Sequence, residues 1–390
     1  MNNRWPILAV LFLARTAMGF QFQSVASLSS FVVTDLAINF AQLGLLIGFY
    51  LLPGMVIAYP SGLLSQRFGD KRIAILGMTL MVVGGGLTAS GHNYPIFLVG
   101  RLISGVGAVL LNVVLTKMVT DWFVGRELGT ALALLVSSWP VGIGVALIVL
   151  PPLAGAASPA AALALTAVAA AIVLLLIAGI YRVPTTTDNA PPSKARLGFA
   201  ISPREFGLVS LAGIVWALFN VGYIILISFG PSLLMAQGIS VKAAGAAISL
   251  ASWTVIPTIA FGGILVDRLG HTTSLMAASL AALALSIMLM PSSSSFALIA
   301  FIGAVGGLPC GAMLMLPTEV LSSESRSPGM GIFYTWYYVG MALLTPLAGL
   351  VRDFTGNAGA PLTFAGFLEI AAIAVLLLLR LFEHRRRLLA

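Results

Sequence analysis

The chain has 390 residues, 59% of them hydrophobic and only 8% charged, with a mean hydropathy of +1.06. A soluble domain carries about 25% charged residues, so this composition excludes one and indicates an integral membrane protein whose surroundings are a lipid bilayer. The formal charge of +8 would suggest nucleic acid in a soluble protein, but here the basic residues fall in short loops between apolar runs, where they set orientation.

Apolar stretches near 20 residues long, punctuated by Gly, Pro and charge, predict twelve transmembrane helices and an all-α membrane protein. They run over 6–27, 42–64, 73–91, 95–119, 128–150, 160–181, 206–230, 243–266, 272–291, 296–317, 328–351 and 361–382. Arg15 splits the apolar run of the first, and no small-residue cleavage site follows, so it reads as a retained span rather than a signal peptide. Placing both termini in the cytoplasm puts 16 of the 20 basic residues on that side. Lys242 and Arg352 fall outside, and Arg15 and Arg101 lie within spans. The short loops fit a bacterial inner membrane. Cys310, the single cysteine, excludes an intrachain disulfide and has no assigned role.

The sequence repeats itself. GLLSQRFGDKR at 62–72 follows the second span and GILVDRLGHTT at 263–273 follows the eighth, so that Gly62, Arg67 and Gly69 align with Gly263, Arg268 and Gly270 at an offset of 201. Gly44 and Gly245, and Gly105 and Gly306, keep that offset; Arg126 and Gly129 match Arg326 and Gly329 at 200. Two six-helix halves, 1–181 and 206–390, are therefore expected, joined by a polar, proline-bearing cytoplasmic linker at 182–205.

The paired G-x-x-x-[DQ]-R-x-G loops, together with RLISGVGA at 101–108 in the fourth span, resemble motifs of the major facilitator superfamily. The resemblance covers essentially the whole chain and implies two pseudo-symmetric bundles that rock about a midplane site. Gln66 stands where the family usually has Asp, while Asp267 keeps the acid in the second loop. The resemblance also implies a gate: Arg67, Asp267 and Arg268 would bind helix ends or facing carboxylates when the cytoplasmic side is shut, with Asp121, Glu127, Glu319 and Glu324 as counter-charges and Arg126 and Arg326 beside them. The alternative is that these charges only enforce topology.

Within the spans, two cations need an explanation. Arg15 lies ten residues after Trp5, roughly 15 Å along a helix and near the middle of a hydrocarbon core ~30 Å thick. A charge there costs roughly 2.5–3.5 kcal/mol on insertion scales, so it should face the interior and have a partner. The family resemblance places spans one, four, seven and ten around the central cavity, which puts Arg15 and Arg101 at one site. For Arg101 two readings stay open: contact with cargo, or hydrogen bonds to neighbouring backbone or a part in proton coupling, as in members with unrelated substrates. On the fourth span Arg101, Gly105, Ala108 and Asn112 form one stripe, and on the seventh Trp216, Asn220 and Tyr223 repeat the spacing. Trp139 beside Pro140, Trp253 with Pro257, and Tyr334 with Tyr338 are further candidate walls, although aromatic stripes also serve plain packing.

The cores of spans one, four, seven and ten contain no Asp or Glu, and Glu369 in span twelve is expected to be satisfied locally. An uncompensated cation stays costly until an anion arrives, and a guanidinium fork suits carboxylates and other oxyanions. The expected cargo is therefore a small anion. Among small-anion porters of the family, the run ARTAMGFQFQSVAS most resembles the cyanate and nitroimidazole permease group. All three histidines, His92, His271 and His384, fall in loops or the tail, so no imidazole serves as a proton switch in the cavity. Moving one charge against ~100 mV costs ~2.3 kcal/mol, so uptake of an anion implies exchange or proton co-transport, with exchange favoured. The alternative is a drug/proton antiporter exporting hydrophobic compounds, although SSWPVGIG at 137–144 only partly resembles the motif those proteins carry. No paired intramembrane carboxylates, histidine cluster or activated nucleophile suggests an enzyme, and no cofactor or metal is expected. The carrier is expected to act as a monomer.

Overall fold

The computed structural model describes residues 4–123, 127–183, 201–269, 271–293, 295–322 and 325–389, and within them the regular structure is entirely helical. Eight helices precede residue 184: α1 (Arg4–Ser27), α2 (Ser29–Asp35), α3 (Phe40–Gly48), α4 (Gly54–Phe68), α5 (Asp70–Ser90), α6 (Tyr94–Phe123), α7 (Leu128–Ala156) and α8 (Pro159–Ile180). Seven follow residue 200: α9 (Pro203–Ala236), α10 (Val241–Leu269), α11 (Thr272–Leu289), α12 (Phe296–Gly307), α13 (Cys310–Val320), α14 (Arg326–Thr355) and α15 (Ala360–Leu389). Among the described residues ten segments are long and apolar enough to cross a membrane, with α12 and α13 taken together; an eleventh is reached if α2 and α3 form one bent span.

Two spans expected to be continuous are broken. The stretch 42–64 divides between α3 and α4 at residues 49–53, and 296–317 divides between α12 and α13 at Leu308 and Pro309. Each break ends at a proline, Pro53 and Pro309, whose missing N–H is tolerated at the start of the next helix. The extra helix α2 lies in a stretch expected to be loop and meets α3 at a bend of 117°. Helices also run past the apolar segments where capping allows it. Asn39 and Gln42 form a reciprocal capping box at the start of α3, and Ser202 and Glu205 do so at the start of α9. Gly69, between α4 and α5, has φ +87, a conformation side chains avoid, so the tight turn of the 62–72 loop depends on it.

Helices pack closely within each group. In the first, α1 lies on α7, where Gly19 faces the carbonyl of Trp139 and Gly142 faces that of Thr16, and α5 lies on both α6 and α8. In the second, α9 packs between α14 and α15, and α10 lies on α12. Small residues at such crossings let backbones approach within lipid, where apolar burial alone does not drive association.

Between the groups, α3 lies on α14 and α7 on α10. Gly44 and Gly48 of α3 abut Met341, Ala342, Thr345 and Pro346 of α14. At the Asn39 end of this contact the Asp353 carboxylate accepts hydrogen bonds from the main-chain N–H groups of Phe40 (3.0 Å) and Ala41 (2.8 Å). It thereby caps the positive end of α3. The neighbouring Arg352 guanidinium lies 3.6 Å from the centre of the Phe40 ring and donates to the Ser232 hydroxyl. At the other end, a side-chain atom added at Gly62, Gly69 or Gly263 would meet nothing within 4 Å, and Arg67 and Arg268 are exposed. Among the described residues the two groups meet at the Asn39 end, and none packs on Gly62, Gly69 or Gly263 at the other.

Candidate functional site

Arg15 sits on α1 with part of its side chain accessible, and its electrostatic neighbours are Tyr334, Tyr337 and Tyr338 of α14. Its Nε has no hydrogen-bond partner, nor does Oγ1 of Thr16 beside it. No carboxylate joins it among the described residues. The tyrosines belong to a wider aromatic cluster. Tyr337 and Tyr338 meet edge to face at 5.0 Å, as do Phe333 and Tyr334 at 5.3 Å, and Trp216 lies 6.4 Å from Tyr337 and 6.2 Å from Phe333. Trp216 keeps an unpartnered indole N–H. The site therefore presents a guanidinium Nε–H and an indole N–H without acceptors, with three tyrosines near the cation; that donor set suits an acceptor-rich anion.

Arg101 does not join this site, contrary to expectation. It is 1% exposed, and its Nε donates to the carbonyl of Leu46 while its two terminal nitrogens donate to those of Gln21 and Phe22, each at 2.9 Å. The Tyr50 ring covers the guanidinium at 4.4 Å. Main-chain carbonyls where α1 and α3 approach α6 are strong acceptors for a desolvated cation, so all three guanidinium nitrogens of Arg101 are engaged in a tie between three helices. In this conformation its hydrogen bonds go to the backbone.

The remaining predicted cavity residues divide. Asn112 of α6 is within hydrogen-bonding reach of Tyr338, which is almost fully buried and lies over Gly54. Asn220 donates to the carbonyl of Trp216 on its own helix (2.7 Å), and Tyr223 donates weakly to Ser252 at 3.4 Å. Trp253 packs its indole against Gly144 in the α7–α10 contact, and Trp139 packs on Phe22 at 5.4 Å. Tyr337 was missed by the sequence reading, although Tyr334, Tyr337 and Tyr338 share one face at i, i+3 and i+4. Glu369 also departs from expectation. It is 0% exposed, neither carboxylate oxygen has a partner, and it rests on Gly222 of α9 instead of being satisfied locally.

Of the expected gate charges, Asp121, Glu127 and Glu319 are paired inside their own groups. Lys117 bridges Asp70 and Asp121, Arg4 holds Glu127 at 2.8 Å, and Arg380 holds Glu319 and Glu383 at 2.6 Å each. Arg67 lies over the ring of its neighbour Phe68. The side chains of Gln66, Asp267 and Arg326, and all of Arg126 and Glu324, lie outside the described residues. The expected cross-group counter-charges Asp121, Glu127 and Glu319 are thus already satisfied locally.

The sequence profile of the Major Facilitator Superfamily matches residues 11–345 and again 211–389. The chain belongs to the Major Facilitator Superfamily. It is a multi-pass membrane protein. The hexuronate transporter of Bacillus subtilis (strain 168) is 23% identical over 141 residues, which cover 36% of this chain and 33% of that protein. The quinolone resistance protein NorA of Staphylococcus aureus is 31% identical over 87 residues, 22% of each chain. These matches span about a third and a fifth of the relatives' lengths. Over the whole fold, the inward open conformation of the xylose transporter XylE from E. coli superposes with a TM-score of 0.79 at 13% identity, covering 95% of both chains.

Proposed function

We propose that this protein is a secondary transporter, not an enzyme, and that it carries a small anion, organic or inorganic, by alternating access, with Arg15 as the residue that recognises its charge. The observation that supports this most directly is the Arg15 guanidinium deep in the protein with an unpartnered Nε, no acidic neighbour and three tyrosines around it. Tyr334, Tyr337, Tyr338 and the Trp216 indole N–H complete the recognition surface, with Asn112 behind Tyr338; Asn220, Tyr223 and Trp253 line the approach. A relative that is a hexuronate transporter favours a carboxylate cargo. In this reading the chain forms twelve spans in two bundles, 1–181 and 206–390, joined by 182–205, in a bacterial inner membrane with both termini cytoplasmic. The open Gly62 end then faces the cytoplasm, and Arg67 and Arg268, with Asp267, Arg126 and Arg326, engage across it when it shuts. The carrier works as a monomer, exchanging one anion for another.

The test is thermal unfolding of the purified protein with nitrate, formate, oxalate, cyanate and D-glucuronate, and separately with cationic drugs. A ligand that binds only the folded state raises the melting point. At least one anion is expected to raise it in wild type and not in Arg15→Gln. Exchange adds a second expectation: preloading proteoliposomes with that unlabelled anion speeds uptake of the labelled form. A second reading, export of hydrophobic drugs by proton antiport, draws on the aromatic cluster and the NorA match. It is favoured if the drugs stabilise the protein and the anions do not.

A further inference from the structure

Glu369 of α15 is 0% exposed, and both of its carboxylate oxygens lack any hydrogen-bond donor. It lies where α15 packs on α9, against Gly222, whose missing side chain leaves the space the carboxyl occupies. An ionised carboxylate in such a place, with no donor and no cation, is far more costly than a neutral one.

The surrounding helices offer no compensating charge. On α9 the neighbouring titratable group is Tyr223, which is turned to Ser252. Between Thr272 and Leu289, α11 has no titratable residue. On α13, Cys310 interacts electrostatically with Glu369 and its thiol donates to the Gly306 carbonyl at 3.4 Å. On α14 the tyrosines at 334, 337 and 338 face Arg15 instead, and Arg352 is at the Asn39 end. On α15 itself Arg380 is about three turns away and is held by Glu319 and Glu383.

We propose that Glu369 is a proton-binding site of the transport cycle, protonated in the state seen here and deprotonated when α9 shifts against α15. The helix it touches makes this a coupling element. α9 also carries Trp216 of the recognition surface, and it accepts the hydrogen bond from Gln23 to the Ile227 carbonyl (2.9 Å) that joins it to α1. Rocking of one group against the other therefore pulls on α9 and on the seat of the carboxyl. Cys310 begins α13 at the helix break and keeps accessible surface, so the route for water opens there. On deprotonation the carboxyl O–H bond breaks heterolytically, the proton passes through the entering waters to bulk solvent as hydronium, and the waters left behind solvate the carboxylate; the reverse step reloads the site. Such a site lets the exchanger carry a proton with the more highly charged of two anions, so that the two half-cycles move equal charge. That coupling rests on the proposed function; proton binding at Glu369 does not.

The experiment uses the full chain in lipid nanodiscs, with the proton itself as probe, and records infrared difference spectra as pH is raised and lowered within the range where the protein stays folded. Wild type is expected to lose, reversibly, the carbonyl stretch of a protonated carboxylic acid. Glu369→Gln, neutral and nearly isosteric, should lack that band, and Glu369→Asp should restore a titrating band at a shifted frequency. A wild-type band that persists at every pH identifies a permanently neutral structural acid and overturns the proposal. So does the same titrating band in Glu369→Gln, or no band in wild type.

Discussion

At Arg101, three N–H groups meet three main-chain oxygens on two other helices, whereas at Arg15 the Nε meets none. Each hydrogen bond from a charged donor is worth roughly 1.5–3 kcal/mol. Lysine offers a point charge in place of the planar fork and cannot span all three acceptors. Arg101→Lys should therefore lower the melting temperature in detergent while leaving the stabilisation by the anion intact, which thermal unfolding with and without ligand checks. The converse is expected at the proposed recognition surface: if Tyr337 donates to the proposed anion, Tyr337→Phe should weaken its affinity roughly tenfold, with the protein's own melting temperature little changed, as titration calorimetry would show. The sequence made Arg15 conspicuous through its position in an apolar run, because lipid makes any charge there costly. It could not separate Arg101 from Arg15, since whether a buried cation finds carbonyls depends on where other helices cross.

Helix positions were legible to within a few residues because lipid imposes both length and apolarity on every span. What escaped was continuity. The breaks at Pro53 and Pro309 fall inside apolar runs, where hydropathy carries no signal and the missing N–H acts only locally. Helix contacts were partly foreshadowed by glycine: Gly44, found through its repeat partner Gly245, is where α3 meets α14. Gly44→Leu should wedge that contact apart. Since Pro346 and Thr345 are backbone neighbours that cannot swing aside, the Asn39 end cannot close and the Gly62 end should close instead. In a Cys310→Ser background, spin labels at Arg67→Cys and Arg268→Cys should report a shorter distance when Gly44→Leu is added.

Across the whole molecule, the ion pairs of the described residues sit at the ends and stay within one helix group, while the two groups are held together at the Asn39 end by glycine contacts and by Asp353 on the start of α3. The ends can then alternate without breaking any buried ionic network, which would be costly to separate. Asp353→Asn keeps the shape but loses the charge that the helix end favours, so it should shift the population toward closure at the Gly62 end, read by the same label pair. The internal repeat led to the expectation of two halves. Which end is shut was not legible in sequence, because it rests on contacts between residues more than 300 positions apart, such as Phe40 and Asp353.

Asp353 is exposed, so the cap it places on α3 operates in water and not in hydrocarbon. An attraction of that kind fades as dissolved ions crowd around it, over a screening length of about 8 Å at physiological ionic strength and about 3 Å in molar salt. The buried tie at Arg101 has no such sensitivity. Brine on the Asn39 side alone should therefore loosen that closure and alter the carrier's turnover while leaving its melting behaviour almost untouched.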